Sequence, residues 1–330
     1  MRIVGVMIAV MAIALAPFAA SAQAPQKLIP LRVGYDGYSM TTAPMNYAVE
    51  KGIFNKYGLD VTLAYIDAGT TLSAAVVGGS MGIAQNGYAP AAAAAVQGAD
   101  VVFIGGISNQ LPFQLVVKGN IKSATDLKGK KIAISRYGAT SDVAATYALK
   151  SLGLKRTDVT ILQLGGEGTR TAAMLSGQID ASLEQYPRTG ELEVRGFHVL
   201  ADCLELASDY PNTSYVSTRA FIAKNPDIVK RFMMGISDGI HAFRADRAGA
   251  LKSTAAFLKA KDGPALDKAY DIFTTKVYPD VPRPSMKGIA LVLEELKTRV
   301  PAAGKVKAEQ LVYTAHFDAL EKEGFFAKLK

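Results

Sequence analysis

The chain has 330 residues, 49% hydrophobic and 20% charged, with a formal net charge of +8. That length exceeds one ordinary hydrophobic core and calls for two lobes, and the composition excludes a disordered or fibrous protein. The lysines are scattered over amphipathic stretches without a basic run, which argues against a nucleic-acid surface.

Residues 1–24 read as a secretory signal peptide. Arg2 is followed by an apolar core, Ile3 to Leu15, and by A-x-A patterns ending at Ala22 and Ala24. No cysteine stands near the cleavage point, so no lipid anchor is expected, and the mature protein is expected to be exported. Cys203 is the only cysteine, which leaves no internal disulfide. His198, His241 and His316 keep no metal-ligand spacing, so no metal or other cofactor is expected.

The mature chain opens with a strand at 31–35, a polar loop and a helix begun by Pro44 and ended by Gly52. Strands at 59–66, 81–84 and 101–104 then alternate with helices at 72–77 and from Pro90 to about Gly98. A second series repeats the theme: strands at 131–135, 159–164 and 179–183, with helices at about 141–152 and 171–176. Such alternation predicts mainly parallel sheets flanked by helices. One strand, 214–222, leads into long helices at 226–244, 249–259, 264–274, 286–300 and 308–322. The expected organisation is lobe I over 25–117, lobe II over 118–216, and a return crossing with C-terminal helices over 217–330.

In open parallel sheets, ligands sit beyond the carboxyl ends of the strands. The loops there supply the candidate site. Lobe I offers Tyr35, Tyr38, Ser39, Thr41 and Thr42, then Gly69 and Thr70, then Asn86 and Tyr88. Lobe II offers Arg136, Tyr137, Gly138, Thr140 and Ser141, then Arg170, then Glu184 and Tyr186. Several of these loops open helices, whose free N–H groups favour anions. Arg136 adds a charge-assisted donor, and Ser141 is placed to cap its helix. The tyrosines favour an organic anion with an apolar body over a compact inorganic one. Asp67, Glu167 and Glu184 keep an amine-bearing ligand open.

An ordered set of segments is familiar: APMNYAVEKGIFNKYGLDVTL (43–63), GGSMGIAQNGYAP (78–90), QGADVVFIGGI (97–107), IKSATDLKGKKIAI (121–134), LSGQIDASLEQYP (175–187) and AFIAKNPDIVKRF (220–232). Together they resemble the nitrate/sulfonate/taurine solute-binding proteins, the SsuA/THI5-like (NMT1-like) family. The resemblance implies a type II-like periplasmic binding protein of two α/β lobes, with a helical C-terminal third. It implies a monomer that binds a small solute and delivers it to an ABC permease with cytoplasmic ATPase subunits. The family spans sulfonates, nitrate, bicarbonate, aromatic acids and pyrimidine or flavin vitamins. The expected solute here is a small organic anion, a sulfonate or carboxylate; a thiamine-pyrimidine or flavin-like precursor is the alternative. A sensor that reports to a membrane receptor is the other rival. An enzyme is not expected: the G-x-S-x-G at Gly78–Gly82 lies between a helix and a strand, the reverse of a nucleophile elbow.

Overall fold

The computed structural model describes residues 27–207 and 209–329. The leader read at residues 1–24 lies outside them. Ten strands alternate with helices: β1 (Ile29–Tyr35), β2 (Leu59–Tyr65), β3 (Ile83–Gly87), β4 (Val102–Ser108), β5 (Gln114–Val117), β6 (Lys131–Ile134), β7 (Thr160–Gln163), β8 (Ala181–Glu184), β9 (His198–Asp202) and β10 (Thr213–Ser217). They form two five-stranded sheets, ordered β2-β1-β3-β10-β4 and β7-β6-β8-β5-β9.

Each sheet is mixed. β1 runs parallel to β2 and β3, while β10 is antiparallel to β3 and β4. In the second sheet, β6 is parallel to β7 and β8, and β5 is antiparallel to β8 and β9. Strand pairing puts the crossings between lobes before β5 and after β9, within residues 109–113 and 203–212, where the sequence places them near 115–118 and 215–218 to within about ten residues. The strand expected over 214–222 stops at Ser217 because Thr218 caps a helix over Arg219–Lys224, its hydroxyl accepting from the Phe221 amide at 3.0 Å. β9 and the helix Arg188–Glu193 were not anticipated.

The C-terminal third is helical and packs mainly on the first lobe. Helix Pro226–Ala245 buries Val229, Phe232, Met233, Ile236, Ile240 and Phe243, an apolar stripe with the spacing of one helix face. The Phe232 ring stacks on Phe54 at 5.6 Å. Gly239 lets this helix approach helix Ala43–Glu50 closely: a Cβ there would stand 2.7 Å from the Ala48 Cβ. Gly239→Val is therefore expected to lose about 1–3 kcal/mol through overpacking, although valine is the better helix former. Urea unfolding checks this, and an unchanged or raised midpoint would refute the close-packing account.

Two large apolar clusters result, beside a smaller third around Val116, Ala133, Met174 and Ile179 in the second lobe. One combines the outer face of the first sheet with the helices of 226–277. The other runs from the first lobe into the second and takes in helix Met286–Leu296. The second lobe is tied back to this C-terminal region by an ion pair: Asp142, almost fully buried, meets Arg299 at 3.3 Å, and it also meets Arg156 of its own lobe at 2.6 Å.

Candidate functional site

The two lobes meet over a small cavity of about 70 Å³. It forms where the strand-end loops of both sheets converge, and each loop is fixed by its own polar contacts. After β1, Thr42 Oγ1 donates to the Gly37 carbonyl at 3.0 Å and accepts from Gln85 Nε2 at 3.0 Å. Ser39 and Thr41 hydroxyls bond at 2.8 Å, and the Tyr278 hydroxyl holds the Met40 carbonyl. After β2, Ala68 takes φ 66 and ψ 134 to start helix Gly69–Val77. A non-glycine residue there costs on the order of 1–3 kcal/mol and is a mark of functional sites. Gly69 beside it has no room for a side chain: a Cβ would lie 2.6 Å from Asn86 Oδ1 and 2.8 Å from Asp36 Oδ2. Asn86 fastens the turn from below, donating to the Gly69 carbonyl at 3.1 Å and to Ser73 Oγ at 2.8 Å.

The second lobe closes down on these loops. A Cβ on Gly87 would run into Thr140 Oγ1, and one on Gly165 would stand 2.8 Å from Asp67 Oδ2. Backbone from one lobe thus touches side chains of the other, and the cleft is closed.

Six of the expected residues line the cavity: Ser39, Thr41 and Gly69 from the first lobe, and Thr140, Ser141 and Arg170 from the second. The other expected residues do not reach it. Thr42 and Asn86 are buried behind the loops they hold. Tyr35 is buried in an aromatic group with Tyr38, Tyr65 and Phe257, and Tyr38 stands at the cleft mouth. Thr70 lies one residue inside its helix, near Gly138. Tyr88 is wholly buried against Phe103, ring centres 4.8 Å apart, with its hydroxyl accepting from the Ser285 amide. Arg136 and Tyr137 are turned outward and exposed, because Gly138 takes φ 81 and reverses the chain after them. Glu184 is buried beneath the cavity and pairs with Arg170, while the Tyr186 hydroxyl accepts from Lys268 Nζ at 2.7 Å. Ser141 does not cap its helix: its Oγ accepts from the Ser135 amide at 2.9 Å, and the cap position is Ala139.

Asp36, Gln185, Ser135, Asn212 and Thr213, none of them among the residues expected from sequence, also line the cavity, as do Asp67 and Glu167, expected only for an amine-bearing ligand. These change its electrostatics. Asp36, Asp67 and Glu167 are its acidic groups, against one cation, Arg170. That cation is largely spoken for. Its Nε lies 3.7 Å from Glu184 Oε1, and its terminal nitrogens donate to the carbonyls of Gly165 at 2.6 Å and Leu183 at 2.8 Å. Burial pushes the Asp36 carboxyl up to about 7, against the amide of Gly87, which favours its charged form. Burial, then the neighbouring Glu184, pushes Glu167 up. Gln185, 4% exposed, presents a side-chain oxygen with no hydrogen-bond partner. Of the buried polar atoms in the lining, the Gln185 oxygen lacks a donor and the Arg170 Nε lacks an acceptor, beside three acidic side chains. No cluster of metal-ligating side chains occurs among the described residues.

The NMT1/THI5-like family profile matches residues 39–250. A protein of Brucella abortus that carries a binding-protein assignment is 30% identical over 70% of this chain and 72% of its own length. The riboflavin-binding protein RibY of Chloroflexus aurantiacus is 27% identical over 60% of this chain and 57% of its own length. Among solved structures, the alkanesulfonate-binding protein SsuA from Xanthomonas axonopodis pv. citri bound to MOPS superposes with a TM-score of 0.71 at 21% identity, over 87% of this chain and 98% of its own. The chain therefore belongs to the NMT1/THI5-like family and has the two-lobed fold of the periplasmic solute-binding proteins.

Proposed function

We propose that this protein is the extracytoplasmic solute-binding component of an ABC importer, and that the end of the solute it buries carries N–H donors or a positive charge. The observation that carries the solute class is the acceptor-rich cavity: Asp36, Asp67, Glu167 and the unpartnered Gln185 oxygen face a space whose only cation is already paired with Glu184. A buried acceptor without a donor is costly, and a ligand bearing N–H groups satisfies the Gln185 oxygen while meeting the acidic side chains beside it. Amino-heterocycles, amidines and amines fit this description. The riboflavin-binding relative supports a nitrogen heterocycle. The protein binds its solute without converting it. Ser80 of the G-x-S-x-G stretch spends its hydroxyl on the Ala75 carbonyl at 2.9 Å. The signal-like leader supports a periplasmic location, and delivery to a permease is the role that the family implies.

The second reading is the small organic anion, a sulfonate or carboxylate. Arg170 favours it, since its guanidinium lines the cavity and its Nε has no hydrogen-bond partner. A thermal-shift panel separates the two, because a ligand at 100 times its Kd adds about 2.7 kcal/mol. Aminopyrimidines and amidines are expected to raise the unfolding midpoint by several degrees, and Asp67→Asn is expected to weaken such a hit by about tenfold. A shift with alkanesulfonates or carboxylates alone would replace the first reading with the second.

A further inference from the structure

The inner cavity of about 70 Å³ is too small for a solute of more than a few heavy atoms, since small-molecule pockets run from about 300 Å³ upward. It does not end at the cleft. A second chamber of about 250 Å³ adjoins it and shares Gly37, Gly166 and Glu167 with it. One side of it is aromatic, formed by Tyr38, Tyr65 and Phe257, and Arg188 and Lys259 also line it. Tyr38 packs on Tyr65 with ring centres 4.8 Å apart and on Phe257 at 5.2 Å. Tyr38 and Tyr65 are 43% and 39% exposed, so the aromatic group is partly open to water at the mouth of the cleft. The shelf is also held rigid: the Tyr65 hydroxyl donates to Asp67 Oδ1 at 3.0 Å, joining the ring to a carboxylate of the inner cavity. Phe257 comes from the end of helix Arg247–Leu258, so the C-terminal third itself helps to build the chamber.

We infer that the solute has two parts: a small N–H-bearing head seated among Asp36, Asp67 and Glu167, and a planar ring laid on the Tyr38–Tyr65–Phe257 shelf. This rests on the donor-head reading above and adds the class of the remainder. A polar cavity fixes the head through hydrogen bonds, and an aromatic surface one chamber away accepts a flat apolar body by stacking. An aliphatic amine or bare ammonium would leave the shelf uncovered.

Acetamidine and benzamidine test it, since they share the amidinium and differ by one aromatic ring. Isothermal titration of the mature protein is expected to show benzamidine binding at least tenfold more tightly. Tyr38→Ala and Phe257→Ala are expected to reduce that ratio below threefold, and Tyr38→Phe to keep it. Circular dichroism confirms that each variant is folded. Equal affinities in the wild type, or a ratio that survives both alanine substitutions, would overturn the shelf while leaving the donor head in place. Binding of neither amidine would overturn the donor-head reading and the shelf with it.

Discussion

Arg170→Met is expected to lower the stability of the folded protein by about 3–5 kcal/mol, the usual penalty for breaking a buried ion pair from one side. Arg170 is 2% exposed and Glu184 is not exposed at all. Removing the guanidinium strips the carbonyls of Gly165 and Leu183 of their donors and leaves Glu184 with Ser182 and Thr171 alone. Glu184 is raised by burial and pulled down first by Arg170, so the variant drives it towards the protonated form. The melting midpoint is expected to fall by roughly 10 °C. Glu184→Gln is expected to fall less, because a neutral amide keeps the hydroxyl partners and carries no charge to strand. A loss smaller than about 2 °C in Arg170→Met would show that the pair does not hold the floor of the cleft.

The second large effect is a pH dependence. Asp36 moves from its ordinary 3.8 up to about 7, and Glu167 moves in the same direction. A carboxyl whose value is raised on folding binds its proton more tightly in the native state, so the native state holds more protons than the unfolded chain through this window. Stability is then greatest below the ordinary carboxyl range, near pH 4 for this group, and is lost as pH rises through about 7. Asp36 keeps part of its surface open to the cavity, so the loss is on the order of 1–3 kcal/mol rather than the full value for a sealed group. The ligand-free protein is expected to melt several degrees higher at pH 5 than at pH 8, and Asp36→Asn is expected to flatten that difference. A cationic ligand reverses the trend, because it favours the ionised carboxylate. Its affinity is expected to rise with pH up to about 7, with proton release on binding. Calorimetry in buffers of different ionisation enthalpy reads that release directly. An affinity that falls over the same range would contradict the assignment of Asp36 as an acceptor for a cation.

The loops of the site were legible from sequence because strand-helix alternation places every such loop at one edge of its sheet. Which residue of each loop faces inward was not. Successive residues leaving a strand point to opposite sides, so Tyr35 turns into the helical core while its neighbour Asp36 lines the cavity. At the β6 turn, the positive φ of Gly138 sends Arg136 and Tyr137 to the surface and leaves Thr140 and Ser141 inside. Tyr38 is joined by Tyr65 and by Phe257, which stands 219 positions further along in the sequence and carries no local signal of that contact. β9 escaped because it is a half-buried edge strand with a single partner, β5, and lacks a strong apolar alternation. The acidic character of the cavity was visible as residues but was outweighed by the expectation of helix N-termini binding an anion.

The place of β10 has a consequence for how the molecule is assembled. All five strands of the second sheet lie in one continuous stretch, 114–202, whereas the first sheet needs β10, from 213–217, to join β3 to β4. The second sheet can therefore pair entirely from neighbouring segments while the first remains split in two. Bridging strands so distant in sequence is entropically slow compared with pairing near neighbours. The first sheet is accordingly the last to be sealed, and the helices that follow β10 are made only afterwards. A complete cleft, which needs both sheets, is therefore expected only once the returning strand is inserted.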